Sequence, residues 1–204
     1  MTLKDFKDKF SDWNSYYKDN ELEKMPWYEK ALDHDLENEI ISAKLSKGRF
    51  LDLGTGPGTQ ANQLAKRGFD VTGTDLSENA IDKAKKLSKN VNFLTDNFLS
   101  SKLPDNEFDY IFDRGCFHVF DTSQRPNYIK QIKRILKKDG KLFLKCMSID
   151  EKNLPDNEVP HRFSKQNITD IFSNDFEIQS IKDSVFKGTL DQFPKALFVV
   201  MKKN

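Results

Sequence analysis

The sequence predicts an α/β protein whose mostly parallel sheet carries helices on both faces. Two observations lead there. From residue 47 onward, short apolar runs alternate with amphipathic stretches across short connections. Within that alternation, LDLGTGPGTQ (51–60) takes an apolar run through a glycine-rich turn into a helix, so backbone is left exposed for a ligand.

The elements follow in order. RFLDL reads as the first strand, and TQANQLAKRG as a helix closed by Gly68. DVTGTDL is the second strand. Ser77 then caps the helix ENAIDKAKKLSK, whose buried face is Ala80, Ile81, Ala84 and Leu87. VNFLTD gives a third strand and FDYIFD a fourth, with a loop containing Pro104 between them. Pro126 announces a helix with Tyr128, Ile129, Ile132, Ile135 and Leu136 on one side; it is expected to end at Gly140, where KLFLKCMS starts the fifth strand.

The tail differs. A polar loop, EKNLPDNEVPHR, precedes a capped helix opening at Ser164. FEIQSIKDSVF and KALFVVMKK then form a hairpin-like antiparallel edge. Ahead of the core, Leu3, Phe6, Phe10 and Trp13 make one helical stripe, followed by an aromatic patch around Pro26. A second helix is expected over 28–46, turning Leu32, Leu36, Ile40 and Leu45 inward and stopped by Gly48. With no internal repeat or second composition, residues 1–204 read as one domain: a helical cap, 1–46, on an α/β core, 47–204.

Lys and Arg number 33 against 32 Asp and Glu, a net charge of +1, which offers no field for nucleic acid or an anionic membrane. No apolar run reaches the length of a membrane span and the first residues hold no signal core, so a cytoplasmic protein without membrane partners is expected. A monomer and a dimer suit this surface equally. Cys116 and Cys146 show no metal-ligand spacing, and His34, His118 and His161 are far apart in sequence, so no metal is expected.

The glycine turn itself narrows the ligand. Gly54, Gly56 and Gly58 are followed by Thr59 where the dinucleotide fingerprint has its third spaced glycine. Asp52, two residues before Gly54, would repel a pyrophosphate and attract an ammonium. Asp75 ends the second strand, where a carboxylate can accept both hydroxyls of a ribose. Asp96 and Asn97 close the third strand and are placed to read the exocyclic amine of adenine, with Phe98 or Leu76 on the ring. The inferred ligand has an adenosine end and a charged amino-acid end, which S-adenosylmethionine fits better than NAD.

The run LDLGTGPGTQANQLAKRGFDVTGTDLS resembles the opening motifs of class I S-adenosylmethionine-dependent methyltransferases, and TDNFLSSKLPDNEFDYIFDRGCFH resembles their later motifs. DRGCFH is similar to the small-molecule branch of thiopurine-, tellurite- and thiol-methyltransferase-like enzymes. The Asn-Pro-Pro-aromatic signature of many amino-group methylases is absent at 113–116. The resemblance implies a Rossmann-like three-layer sandwich with a seven-stranded sheet of order 3-2-1-4-5-7-6, strand 7 antiparallel. It implies methyl transfer from S-adenosylmethionine, leaving S-adenosylhomocysteine, to a small-molecule acceptor. It places Asp52, Gly54, Thr55, Gly56 and Gly58 against the methionine portion, Asp75 on the ribose, and Asp96, Asn97 and Phe98 at adenine. Asp113, Arg114 and Gly115 fall near the methionyl end.

His118, at the carboxyl edge of the sheet, is the candidate to take a proton from a phenol, thiol or ammonium; the alternative is a histidine that orients Asp113 or its loop. Arg114 is read either as a partner of Asp113 or as a contact to the methionine carboxylate. Phe117 is assigned to the acceptor pocket, with Tyr17 and Trp27 from the aromatic patch, while Trp13 is read as core. Arg162, on the other lip, would select an acceptor carboxylate. Three competing functions remain at this stage: a cofactor-binding protein without chemistry, an NAD(P)-dependent oxidoreductase, and a methyltransferase acting on a macromolecule.

Overall fold

A computed structural model describes residues 12–154 and 159–204. The stripe positions Leu3, Phe6 and Phe10 lie outside the described residues. Helices α1 (Trp13–Asp19) and α2 (His34–Ser42) precede an alternation of β1 (Arg49–Leu53), α3 (Thr59–Lys66), β2 (Asp70–Asp75), α4 (Glu78–Leu87) and β3 (Asn92–Thr95). Next come β4 (Phe108–Arg114), α5 (Arg125–Ile135), β5 (Leu136–Met147), α6 (Lys165–Phe172), β6 (Phe176–Val185) and β7 (Lys195–Lys203). The strands form one sheet of order β3-β2-β1-β4-β5-β7-β6, with β7 antiparallel to both neighbours. Sheet order and strand directions agree with the sequence expectation.

Alternation along the strands divides the core into two layers. Leu51, Ile111, Leu142, Leu144, Leu197 and Val199 point to one face, where α5 and α6 cover them with Tyr128, Ile132, Ile168 and Phe172. Their neighbours Phe50, Phe112, Phe143, Phe198 and Val200 point to the other, against Leu36 and Ile40 of α2, Leu64 of α3 and Ile81 of α4. The period of two in the strands and the helical spacing of the covering residues thus produce the three layers directly. Truncating a fully buried member such as Leu36 to alanine costs about 2–5 kcal/mol.

Three helix boundaries differ from expectation, one of them the end of α2, at Ser42 rather than near residue 46. Helix α2 begins at His34, six residues late, because Asp33 caps it by accepting the Asp35 N–H at 3.1 Å. The segment before it is held extended by Gln60, whose amide donates to the Ala31 carbonyl and accepts the Asp33 N–H at 2.7 Å. Helix α5 stops at Ile135 rather than near Gly140. Leu136 turns extended and pairs opposite Phe108, after which the ladder slips and resumes at Lys141 opposite Tyr110. Leu136 continues the helical apolar spacing while already lying in the strand, so the pattern carries no mark of the end.

Candidate active site

The carboxyl ends of β1, β2, β3 and β4 open into one cavity of about 750 Å³, at the point where the strand order reverses between β1 and β4. Open α/β sheets bind ligands at this crevice, and the volume lies within the usual range of small-molecule pockets.

At the first strand end, the chain leaves Leu53 through Gly54 to Gly58. A Cβ on Gly56, where φ is +52°, would come within 2.7 Å of the Tyr17 hydroxyl. The turn therefore meets an aromatic ring from α1 on bare backbone. Gly58, φ +80°, has the same relation to the core: a Cβ there would meet the Phe93 ring at 2.7 Å and Ala84 at 2.9 Å. Asp52 does not line this cavity. It accepts the Thr55 hydroxyl at 2.5 Å and the Ala61 N–H at 3.0 Å, fixing the turn to the start of α3. Burial drives its pKa up to about 6. The charge expected to attract an ammonium is thus spent behind the turn, where Thr55, Gly56 and Gly58 also lie outside the cavity lining.

Asp75 does line the cavity, as do Leu76, Asp96, Asn97 and Phe98. The Asp75 carboxylate accepts the backbone N–H groups of Gly56 and Ser77, each at 2.9 Å, and burial raises its pKa to about 6. Asp96 accepts the Lys102 N–H at 3.1 Å on Oδ1. Its Oδ2 is buried with no donor. A buried acceptor left unsatisfied costs free energy unless a ligand supplies the donor. An adenosine supplies a 6-amino donor of the kind that Asp96 Oδ2 lacks and a ribose diol that the Asp75 carboxylate can accept besides its two N–H groups, so this wall fits the adenosine half of S-adenosylmethionine.

After β4 the chain turns back through Gly115 to Phe120. Asp113 does not reach the cavity; it is fully buried and accepts the N–H groups of Cys116 and Phe117 and the Tyr128 hydroxyl at 2.8 Å. Burial raises its pKa to about 7. Its task is to pin the loop. Arg114 points away from Asp113. Its guanidinium binds Asp33 at 2.9 Å, Glu29 at 3.2 Å, and the carbonyls of Trp27 and Lys187. The expected pairing with Asp113 is replaced by these contacts, and Arg114 borders the cavity.

Phe117 corrects the pocket assignment. In this one-turn 3-10 segment Cys116 and His118 face the cavity, while Phe117 faces the core against Tyr128, Phe163 and Phe172. Arg162 does not line the cavity either; it donates to the Glu151 carbonyl at 2.6 Å. His118 lines the cavity, but its Nδ1 accepts the Met147 N–H at 3.2 Å. Burial, and then the charge of His161, push its pKa down to about 3. The ring is thus held neutral, with Nδ1 engaged by the sheet.

The opposite wall comes from the cap. Trp13, Tyr17 and Trp27 line it together; Trp13 stacks on Tyr17 at 6.2 Å, so it belongs with the cavity aromatics rather than with the core alone. Phe186 and Leu190, between β6 and β7, complete the wall and were not foreseen. The cap is zipped to that loop: Thr189 donates its N–H to the Pro26 carbonyl and its hydroxyl to the Met25 carbonyl. Among the described residues one cluster, Asp33, His34 and Asp35, has metal-ligand spacing. The Lys145 ammonium stands 2.7 Å from both carboxylates, so a cation already fills it. No helix among the described residues is long and apolar enough to cross a membrane.

Fold and site together define an α/β protein with a cavity walled on one side by strand-end carboxylates that fit a nucleoside and on the other by aromatic rings. Comparison with known proteins makes the class specific. A family described as a methyltransferase domain matches residues 50–140. An uncharacterised methyltransferase of Schizosaccharomyces pombe is 35% identical over 107 residues, 50% of this chain and 74% of that protein. The probable thiol methyltransferase 2 of Arabidopsis thaliana is 31% identical over 120 residues, 56% of this chain and 53% of its own. A structure solved for the conversion of a disulfide bond into a thioacetal group during echinomycin biosynthesis superposes with a TM-score of 0.82 at 22% identity, covering 98% of this chain and 92% of that one. The chain belongs to the class I S-adenosylmethionine-dependent methyltransferases. It is an enzyme that uses S-adenosylmethionine and leaves S-adenosylhomocysteine.

Proposed function

We propose that the acceptor is a small, apolar thiol, methylated on sulfur. The observation carrying this is the composition of the acceptor side of the cavity: Trp13, Tyr17, Trp27, Phe186 and Leu190, with Arg114, the one adjoining cation among the described residues, committed to Asp33 and Glu29. Among the described residues an ammonium would find no free carboxylate on this side, and a carboxylate would find no free cation. A polarisable, weakly hydrated sulfur on an apolar body suffers least from that desolvation. The name of the Arabidopsis relative, a probable thiol methyltransferase, and the disulfide-to-thioacetal conversion of the echinomycin structure point the same way.

S-adenosylmethionine supplies a methyl group already activated on a sulfonium. The residues of this chain have to hold it, orient the acceptor in line and exclude water. In this reading Asp75 takes the ribose hydroxyls, Asp96 the adenine amine, and Leu76 and Phe98 the ring. Gly54 and Gly115 leave backbone open toward the methionyl end. The aromatic faces of Tyr17 and Trp27 favour a cation beside them. Trp27 also hydrogen-bonds the Tyr17 hydroxyl, whose pKa burial and then Asp75 push well above the usual value, so the phenol stays neutral. The segment from Trp13 to Trp27 acts as the roof of the reaction chamber, and the acceptor is the partner this site requires.

Transfer of labelled methyl from S-adenosylmethionine to a panel of thiols, phenols, heterocyclic amines and carboxylates tests this, with heat-denatured protein as control. Label in the thiols at least tenfold above the other classes is expected. Label concentrated in another class would overturn the thiol assignment.

A further inference from the structure

The geometry that holds His118 neutral also bears on its role. Met147 is the last residue of β5, so the N–H that it aims at Nδ1 is held by the sheet. Flipping the ring would set a carbon against that N–H and orphan it. With Nδ1 accepting, the single proton of the neutral imidazole sits on Nε2. Adding a second proton at Nδ1 would face one N–H donor with another, and burial opposes it as well.

Nε2 has no acceptor among the described residues, although the ring lines the cavity. The ring edge carrying Nε2 and Cε1 lies 3.3 Å from the place where a Cβ on Gly115 would stand, and glycine leaves that edge open. Phe186 packs on the ring edge-to-face at 5.6 Å, fixing its plane. The charged and titratable groups around it are few. His161 donates its backbone N–H to the His118 carbonyl at 2.7 Å. Arg114 and Lys145 lie over the same Phe186 ring and are neutralised by Asp33. Cys116, Tyr17, Asp75 and Asp96 complete the cavity's titratable set.

We infer that His118 donates a hydrogen bond from Nε2–H to the acceptor sulfur in its thiolate form, so the enzyme selects acceptors that arrive already deprotonated. The inference rests on the thiol reading above. The thiol gives its proton to solvent before transfer. The thiolate electron pair then forms the new S–CH3 bond while the methyl–sulfonium bond breaks, its pair remaining on the departing sulfur, so two neutral thioethers result. No proton passes through His118, which is a positioning donor.

Two measurements test it. Nitrogen-15 NMR of the imidazoles in the intact protein should show His118 as the neutral Nε2–H tautomer, unchanged from about pH 5 to 9. A Nδ1–H tautomer, or titration near the ordinary histidine value, would overturn the donor role whatever the acceptor turns out to be. Second, kcat/KM against pH is compared for an aryl thiol and an alkyl thiol. The rising limb should move with each thiol's own ionisation; one limb shared by both near pH 6 to 7 would restore a base and defeat the inference. His118→Leu should lose about 10- to 100-fold in kcat/KM on both thiols, the usual size for one hydrogen bond to a charged group. His118→Gln, which keeps a donor, should recover part of that loss, and equal loss in both variants would count against donation. If no thiol is methylated, the acceptor assignment fails while the NMR result still decides the tautomer.

Discussion

The Lys145 ammonium meets the Asp33 carboxylate at 2.7 Å with neither side chain exposed to solvent. Lys145 follows Phe143 by two residues on β5 and so shares its face of the sheet; Asp33 is the N-cap of α2. The pair thus fastens the cap to the middle of the sheet, and Arg114 extends it to Glu29 and the β6–β7 loop. Removing one member of a buried pair strands the other. Asp33→Asn is expected to lower stability by about 3 kcal/mol, the lower end of the usual range, because Lys145 keeps Asp35 as a partner. Urea denaturation of both proteins measures it. Burial raises the pKa of Asp33, but Lys145 and Arg114 outweigh burial and hold it below the ordinary value. Its stabilisation is therefore present above about pH 4 and lost as pH falls through the depressed value, a loss that the asparagine variant should lack.

Much of the scaffold was legible and this latch was not. The seven strands could be read because runs such as FDYIFD and KALFVVMKK are apolar, and short turns separate them from amphipathic helices. Asp75 and Asp96 could be read because strand ends in a known order fall at one edge. Glu29 and Asp33 lie far in sequence from Arg114 and Lys145, and in a chain rich in charge all four look like a solvated exterior until the fold brings them together. The inward turn of Phe117, with Cys116 and His118 facing the cavity, was illegible for another reason. No periodicity can be read from a single 3-10 turn, so its inward residue is chosen by tertiary packing.

Gly58 holds the first turn against the core. A methyl group there would meet Phe93 and Ala84 below 3.0 Å at a φ of +80°, so both space and backbone oppose it. Gly58→Ala is expected to lower the unfolding free energy by about 2 kcal/mol, combining left-handed strain with overpacking. It should also weaken S-adenosylmethionine binding, since α3 must shift. A melting temperature unchanged within about one degree would show that the turn accommodates a side chain.

Asp75 makes cofactor binding depend on pH. Burial, working against the N–H groups of Ser77, Gly56 and Leu76, places its pKa at about 6. The ribose hydroxyls and a cationic ligand both favour the carboxylate, so binding releases the proton that the free protein takes up in acid. Affinity should be level above about pH 7 and fall toward tenfold per unit below about pH 6. Calorimetry in buffers of different ionisation enthalpy would detect the released proton at pH 5.5 and none at pH 8. Affinity that stays level down to pH 5 would remove Asp75 from the ribose.

Asp96 offers the sharpest exchange of chemistry. Its Oδ2 is a buried acceptor with no donor, while Oδ1 is occupied by the Lys102 N–H. Asparagine in the same place keeps the Oδ1 contact and turns the other position from acceptor to donor. Against an adenine amine this sets donor facing donor. Asp96→Asn is therefore expected to weaken S-adenosylhomocysteine binding by about tenfold, the cost of one mispaired buried group. The hypoxanthine analogue, which carries a carbonyl oxygen in place of the amine, should bind the variant better than it binds the native protein, because that oxygen accepts from the new amide. Isothermal titration of both ligands against both proteins measures the crossed preference. Equal losses for the two ligands would mean that Asp96 shapes the loop without touching the base.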